Sequence, residues 1–217
     1  MNDLFNKAGI YEAISVLLVG MTVIMTGAYL DLPVVKIESM DNDFMQVCFF
    51  LVISYSVGIF FLEVGRLLDK KLLKIQNGVW LTFLSNSKSF VNPLELNEYR
   101  NLANRILGKD PKNTIFSKSD NMYVFYYCKG FLEVHGKDGK VEKHESLGDM
   151  SRSLMIAFPI LTISYVIMNH QNVIWYKVLF LLLFTLLFYL RMKKYAYYRV
   201  RVLMRHYRAL TTEHPIR

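Results

Sequence analysis

Residues 178–190 read VLFLLLFTLLFYL, and they run without a break into RMKKYAYYRVRVLMRHYRAL at 191–210. A helix built from the first part is apolar on every side, so it must lie in a protein core or in hydrocarbon. The second part changes character. Ala196, Val200, Leu203, Tyr207 and Leu210 recur four, three, four and three apart. Lys194, Arg201, Arg205 and Arg208 follow on a face about 150° away at the helical step of ~100° per residue. This one stretch predicts a membrane-crossing rod that continues into water as an amphipathic helix with an apolar seam and a basic ridge.

Three further runs share the character of the first. Residues 13–30 hold 18 positions without a charge, 44–62 hold 19, and 153–176 hold 24. Each reaches the ~18 residues a spanning helix needs. The last run and 178–190 form an outward and a return helix around NHQNV. With 53% hydrophobic and only 20% charged residues in 217, the chain lacks the polar surface to wrap four such helices as a soluble bundle. The first run follows an acidic start and lacks a small-residue cleavage site, so it is expected to stay as a helix. The fold class expected is an all-α integral membrane protein. Four transmembrane helices stand in a two-plus-two arrangement, with a mainly helical cytoplasmic insert between the pairs.

The parts are 1–66 (an interfacial lead-in and the first two spans), 67–151 (the insert), 152–190 (spans three and four) and 191–217 (the basic tail). Of 26 Lys and Arg residues, only Lys36 and Lys177 fall in the two proposed outer turns, whereas Arg66, Lys70, Lys71, Lys74, Lys137, Lys140, Lys143 and Arg152 flank the insert. Basic residues near span ends stay inside, so both termini and the insert are expected in the cytoplasm of a multi-pass inner-membrane protein. The formal charge of +8 then gives a basic inner face, suited to anionic lipid or an acidic partner. Two cysteines, Cys48 in a span and Cys128 in the insert, do not make a disulfide framework.

Within the insert, Leu67, Leu68, Leu72 and Ile75 extend the second span as a helix that Gly78 ends. An Asn, Ser and Pro cluster marks a loop closing at Pro93. Residues 94–107 follow as an amphipathic helix with Leu94, Leu102 and Ile106 on one side. Residues 119–136 suit either a helix capped by Ser119 or Asp120, with Tyr123, Tyr127, Phe131 and Val134 as its packed stripe, or a hairpin. The helical spacing of Val141, Leu147, Met150 and Leu154 running on into span three favours the helix.

The candidate functional residues are few. Gly20, Gly27, Ser54 and Gly58 offer small surfaces for helix packing, within one chain or between chains. Glu63 and Arg66 share a helix face at the inner end of span two, as a surface ion pair or as a gating or relay pair. Pro159 interrupts the hydrogen bonding of span three and predicts a kink. Arg152 is expected to snorkel to lipid phosphates. Arg152, Lys194, Arg201, Arg205 and Arg208 are the candidate contacts for anionic lipid or a partner, with a ridge that is simply solvated as the plainer alternative.

The five histidines lack metal spacing, and no CxxC, P-loop, GxGxxG or GxSxG occurs. Neither cofactor, catalytic residue nor enzymatic activity is expected, and the juxtamembrane place of the tail makes lipid or protein a better acidic partner than nucleic acid.

The layout, the DMSRSL approach to span three and the YYRVRVLMRHYRAL tail together resemble small prokaryotic membrane proteins encoded beside anti-phage defence genes. These are the transmembrane effectors of CBASS-type systems, the membrane accessory proteins of RNA-targeting CRISPR loci and the membrane subunit of Kiwa. The resemblance covers the whole chain in layout and carries over no binding residue. It implies a non-enzymatic effector or sensor that forms homo-oligomers and either perturbs the membrane or relays a signal to a cytosolic defence protein. A scaffold that recruits an acidic cytosolic partner, or a small transporter or channel built around Thr22, Thr26, Ser54, Ser56 or Thr162, are the alternatives.

Overall fold

The computed structural model describes residues 2–32, 43–73, 75–85 and 93–213. Most of the outer turn expected at 31–43, most of the loop expected before Pro93, and His214 lie outside them. The described residues form seven α-helices and no strand: α1 (Asn2–Tyr29), α2 (Asp43–Leu68), α3 (Ile75–Trp80), α4 (Pro93–Leu107), α5 (Lys118–Val134), α6 (Gly139–Met168) and α7 (Trp175–Glu213). Four of them are long and apolar enough to cross a membrane, over Gly9–Tyr29, Asp43–Lys71, Gly139–Met168 and Trp175–Thr211. This is the architecture of a multi-pass membrane protein.

The chain divides into two compact units. An apolar unit comprises Gly9–Leu73 and Ser146–Met192, and a polar unit comprises Met1–Ala8, Lys74–Glu145 and Lys193–Arg217. The tail thus belongs with the insert, and α6 and α7 contribute residues to both units.

In the apolar unit, α6 is the central rod. Of its most apolar window 61% is buried, against 22% for each of α2 and α7. Leu154, Ala157, Phe158, Leu161 and Tyr165 of α6 gather Val19 and Val23 of α1, Phe61 of α2 and Val178 and Leu181 of α7. The other faces of α2 and α7 point Phe60, Leu183 and Leu186 outward, an apolar exterior that suits hydrocarbon. The α1–α2 crossing is close: a Cβ added at Gly20 would lie 1.6 Å from the Ser54 carbonyl oxygen, and one at Gly58 would lie 2.0 Å from that of Val16. The small residues therefore serve packing inside one chain, and Gly27 is buried on the same helix. α6 continues through Pro159 as one helix. At its far end the Tyr165 hydroxyl accepts the Ile174 N–H at 3.1 Å and closes the turn into α7.

The polar unit has its own core, made by α3 and the turn after it, α4, α5, the start of α6 and the end of α7. Several expectations are corrected here. The helix after span two does not run on to Gly78: α2 ends at Leu68, Asp69–Leu73 is a π-helical turn, and Gly78 lies inside α3. α4 buries Leu96, Tyr99 and Ala103, while Leu94 is 72% exposed, because the Tyr99 ring supplies the apolar mass that the aliphatic spacing was expected to give. α5 is a helix, capped by Ser117 with Asp120 returning a bond to the Ser117 N–H. Its packed face is Val124, Phe125, Cys128 and Leu132, so Tyr123, Tyr127 and Val134 lie on the outward side. Asn121 is fully buried yet satisfied: its amide accepts from the Leu84 N–H at 3.0 Å and donates to the Ser117 carbonyl at 2.8 Å.

Candidate functional site

The sequence puts six charged side chains near the ends of three apolar helices, and the apolar unit brings them together. Arg66, in the last turn of α2, donates to Glu63 on its own face at 2.9 Å. It also reaches Glu12 of α1 at 3.4 Å and Asp149 of α6 at 3.5 Å. Glu63 and Arg66 are thus a pair, as their spacing predicts, but within a larger network.

Arg152 holds the buried side of that network. The snorkelling expected of it does not occur: its side chain is 5% exposed, 2.9 Å from Asp149 and 4.0 Å from Asp69, which is 4% exposed. The reason is local. Asp69, the first residue of the π-helical turn, stands four residues beyond Gly65 of α2, and the Arg152 stem lies against Gly65, where a Cβ would sit in ordinary contact with Arg152 Cγ at 3.4 Å. With anionic partners at hand inside the fold, the guanidinium has no need of lipid phosphate. Asp69 and Asp149 were not singled out from sequence. The available signal was Asp149 alone, three residues before Arg152 and so on its helix face, since Asp69 is remote in sequence.

Among the described residues no set of His, Cys, Asp or Glu side chains can hold a metal ion. Arg66 has three carboxylates within reach and Arg152 has two. Of the span hydroxyls, those of Thr22, Ser56 and Thr162 each donate to the carbonyl four residues back. Pro159 lies in α6 outside the cluster.

Lys177, noted from sequence only as an outer-turn cation, is 8% exposed in the same unit. Its ammonium donates to the Tyr29 carbonyl at 3.0 Å and to Asp31 at 3.4 Å, and lies over the Tyr29 ring. It caps α1, which leaves Asp31 at φ +55°.

In the polar unit the tail's seam is packed as its spacing predicts, with Val200, Leu203 and Tyr207 buried and Met204 added to them. The basic ridge faces α4. Arg205 Nε donates to Glu95 at 2.7 Å, Arg201 stands 3.9 Å from the same carboxylate, and Arg208 pairs with Glu98. The Arg205 bond holds the Glu95 carboxyl below the usual carboxylate range, and the Tyr99 hydroxyl adds to the effect. Lys194 is exposed and lies over the Tyr198 ring. The Lys109 ammonium, 2.8 Å away, likewise lowers Asp120. No family model, curated protein or solved structure matches this chain.

Proposed function

We propose that the chain is a non-enzymatic effector or sensor of the inner membrane, a component of a prokaryotic anti-phage defence system. It converts a displacement of its apolar helices into a signal for a cytosolic partner, or the reverse. The observation that supports this reading is the shared ionic cluster of Arg66 and Arg152 with Glu12, Glu63, Asp69 and Asp149. An ionised group near membrane depth is expensive to keep, and a set with alternative partners gives a two-state element whose balance a ligand can shift. The Lys and Arg placement supports cytoplasmic termini, and the layout resemblance supports the defence role.

The test is expression of the chain with its neighbouring genes in a bacterial host, read by phage plating and membrane potential. Wild type is expected to change one or both on infection. Arg66→Ala, half exposed and so tolerable to the fold, is expected to abolish that response at an unchanged membrane level. A response absent from the wild type, or intact in Arg66→Ala, overturns the reading.

The scaffold alternative has one observation behind it. An acidic partner would find Arg205 and Arg208 about half exposed, already oriented by Glu95 and Glu98. Reversing Arg205 and Arg208 to Glu is then expected to lose a partner in a pull-down.

A further inference from the structure

Within the apolar unit, the packing of α1 on α7 leaves a hollow of about 670 Å³. It runs between Met25, Thr26 and Tyr29 in the last turns of α1 and Tyr176, Phe180 and Leu183 in the first turns of α7. The volume is that of a small-molecule site, and the wall is almost wholly apolar, with the buried Leu181 at its base. Met25, Phe180 and Leu183 on the rim are exposed. Both helices are long and apolar enough to cross a membrane, so the hollow opens onto hydrocarbon. At the helical rise of 1.5 Å per residue, residues 176–183 carry it about 10 Å down from the end of the span, inside one leaflet of a core ~30 Å thick. Polar groups gather at the shallow end. Tyr29 and Tyr176 are more than half exposed there, at the level where amphipathic rings meet headgroups. Lys177 is held by the Tyr29 carbonyl and by Asp31, while the Asp31 side chain stays 85% exposed and keeps room for a second cation. Inside the hollow, the Thr26 hydroxyl makes no hydrogen bond among the described residues, whereas Thr22, Thr162 and Thr185 each donate to the carbonyl four residues back.

We propose that the hollow is a binding site for one phospholipid with a primary-amine headgroup, its acyl chain lying in the groove and its ammonium pairing with Asp31. The chain follows from place and lining, since an apolar groove open to the bilayer is filled by hydrocarbon. The headgroup follows from charge. Lys177, the cation at this end, is already neutralised by Asp31, and the exposed charges that remain are the carboxylates of Asp31 and of Asp43 at the start of α2. The sequence between them adds Glu38 and Asp41 against Lys36. An anionic headgroup meets repulsion here. A quaternary amine carries no N–H to donate, whereas a primary ammonium forms a charge-assisted hydrogen bond with the carboxylate. The Thr26 hydroxyl offers a donor to the acyl ester. A lipid that merely surrounds the spans needs neither the hollow nor the carboxylate. The site is separate from the Arg66 and Arg152 cluster and stands whether or not that cluster relays a signal.

The experiment uses the full chain in phosphatidylcholine vesicles holding a trace of a phospholipid with a photoreactive diazirine on its acyl chain and either ethanolamine or glycerol as headgroup. Labelled peptides are then mapped. The ethanolamine probe is expected to label residues 25–29 and 176–183 roughly fivefold more than the glycerol probe, the size of one charge interaction near a headgroup. It should also label them more than α2 around Val47 and Val52, which are exposed at a comparable depth. Leu183→Trp fills the groove from an exposed position and is expected to remove the excess labelling. Asp31→Asn keeps a residue type that tolerates the positive φ and is expected to erase the headgroup difference while the chain still labels the groove. Labelling no stronger in the groove than on α2 shows surrounding lipid only and overturns the proposal. Equal labelling by the two probes, a glycerol excess, or a headgroup preference intact in Asp31→Asn overturns it as well.

Discussion

Arg152 shows what a single side chain does when its partners lie within the fold. At 5% exposure it stands between Asp149 and Asp69, so its removal takes the buried guanidinium away from two carboxylates with little solvent, of which Asp149 keeps Arg66 at 3.5 Å. Arg152→Ala is therefore expected to cost about 3–5 kcal/mol, the range for breaking a buried pair. Arg152→Met combined with Asp69→Leu should cost less than the sum of the single changes, because no uncompensated charge remains at that pair. Unfolding by denaturant in detergent micelles measures both, and additive losses would show that the two residues act independently. Glu95 gives a second prediction at this scale. Its carboxyl is depressed in the fold by Arg205. It therefore adds stability above the unfolded value of ~4.3, and that stability is lost as pH falls through the lower folded value. Glu95→Gln should lower the melting temperature at neutral pH and flatten its decline on acidification. An unaltered acid profile would mean that the pair is too well screened at the half-exposed Arg205 to matter.

Among the elements, the α1–α2 crossing is set by what is missing. At Gly58 even a methyl group would need the space of the Val16 carbonyl oxygen, backbone that cannot rotate away as a side chain can. Gly58→Ala must push the helices apart and is expected to destabilise the apolar unit by about 1–3 kcal/mol or more, whereas Gly9→Ala, with nothing near it, should not. Equal melting of the two variants would refute this reading of the crossing. The spacing of small residues made this contact legible, and the four charge-free runs made the spans legible, because both signals are local. The tail was legible for the same reason: its apolar residues and its charges fall on different faces of α7. α5 was not, since residues 122–127 are MYVFYY and two neighbouring faces carry equal apolar weight. Periodicity then cannot choose between them, and the choice fell to Trp80 and Tyr207, which are remote in sequence. The Arg152 site was hidden in the same way, with Asp69 remote in sequence and opening a π-helical turn that the apolar spacing did not predict.

At the scale of the whole molecule, the chain separates apolar exterior from polar exterior into two units, each with its own core. The polar core can be tested independently. Leu203 is fully buried there, and Leu203→Ala should cost about 2–5 kcal/mol. Cys128 reports the loss: burial pushes its thiol up to about 12, so it should resist maleimide in the folded chain and label faster in Leu203→Ala. The distribution of charge gives the last prediction, which concerns orientation. Lys and Arg crowd the ends of the helices beside the insert and the tail, while the turn between α6 and α7 has none and the first turn of α7 has only Lys177, already engaged by Tyr29 and Asp31. A reporter inserted after Asp110, in the polar turn following α4, is expected to act in the cytoplasm, and one inserted after Asn172 on the opposite side of the membrane. If both reporters act on one side, α6 does not cross, and the Arg152 cluster must then be explained without a bilayer.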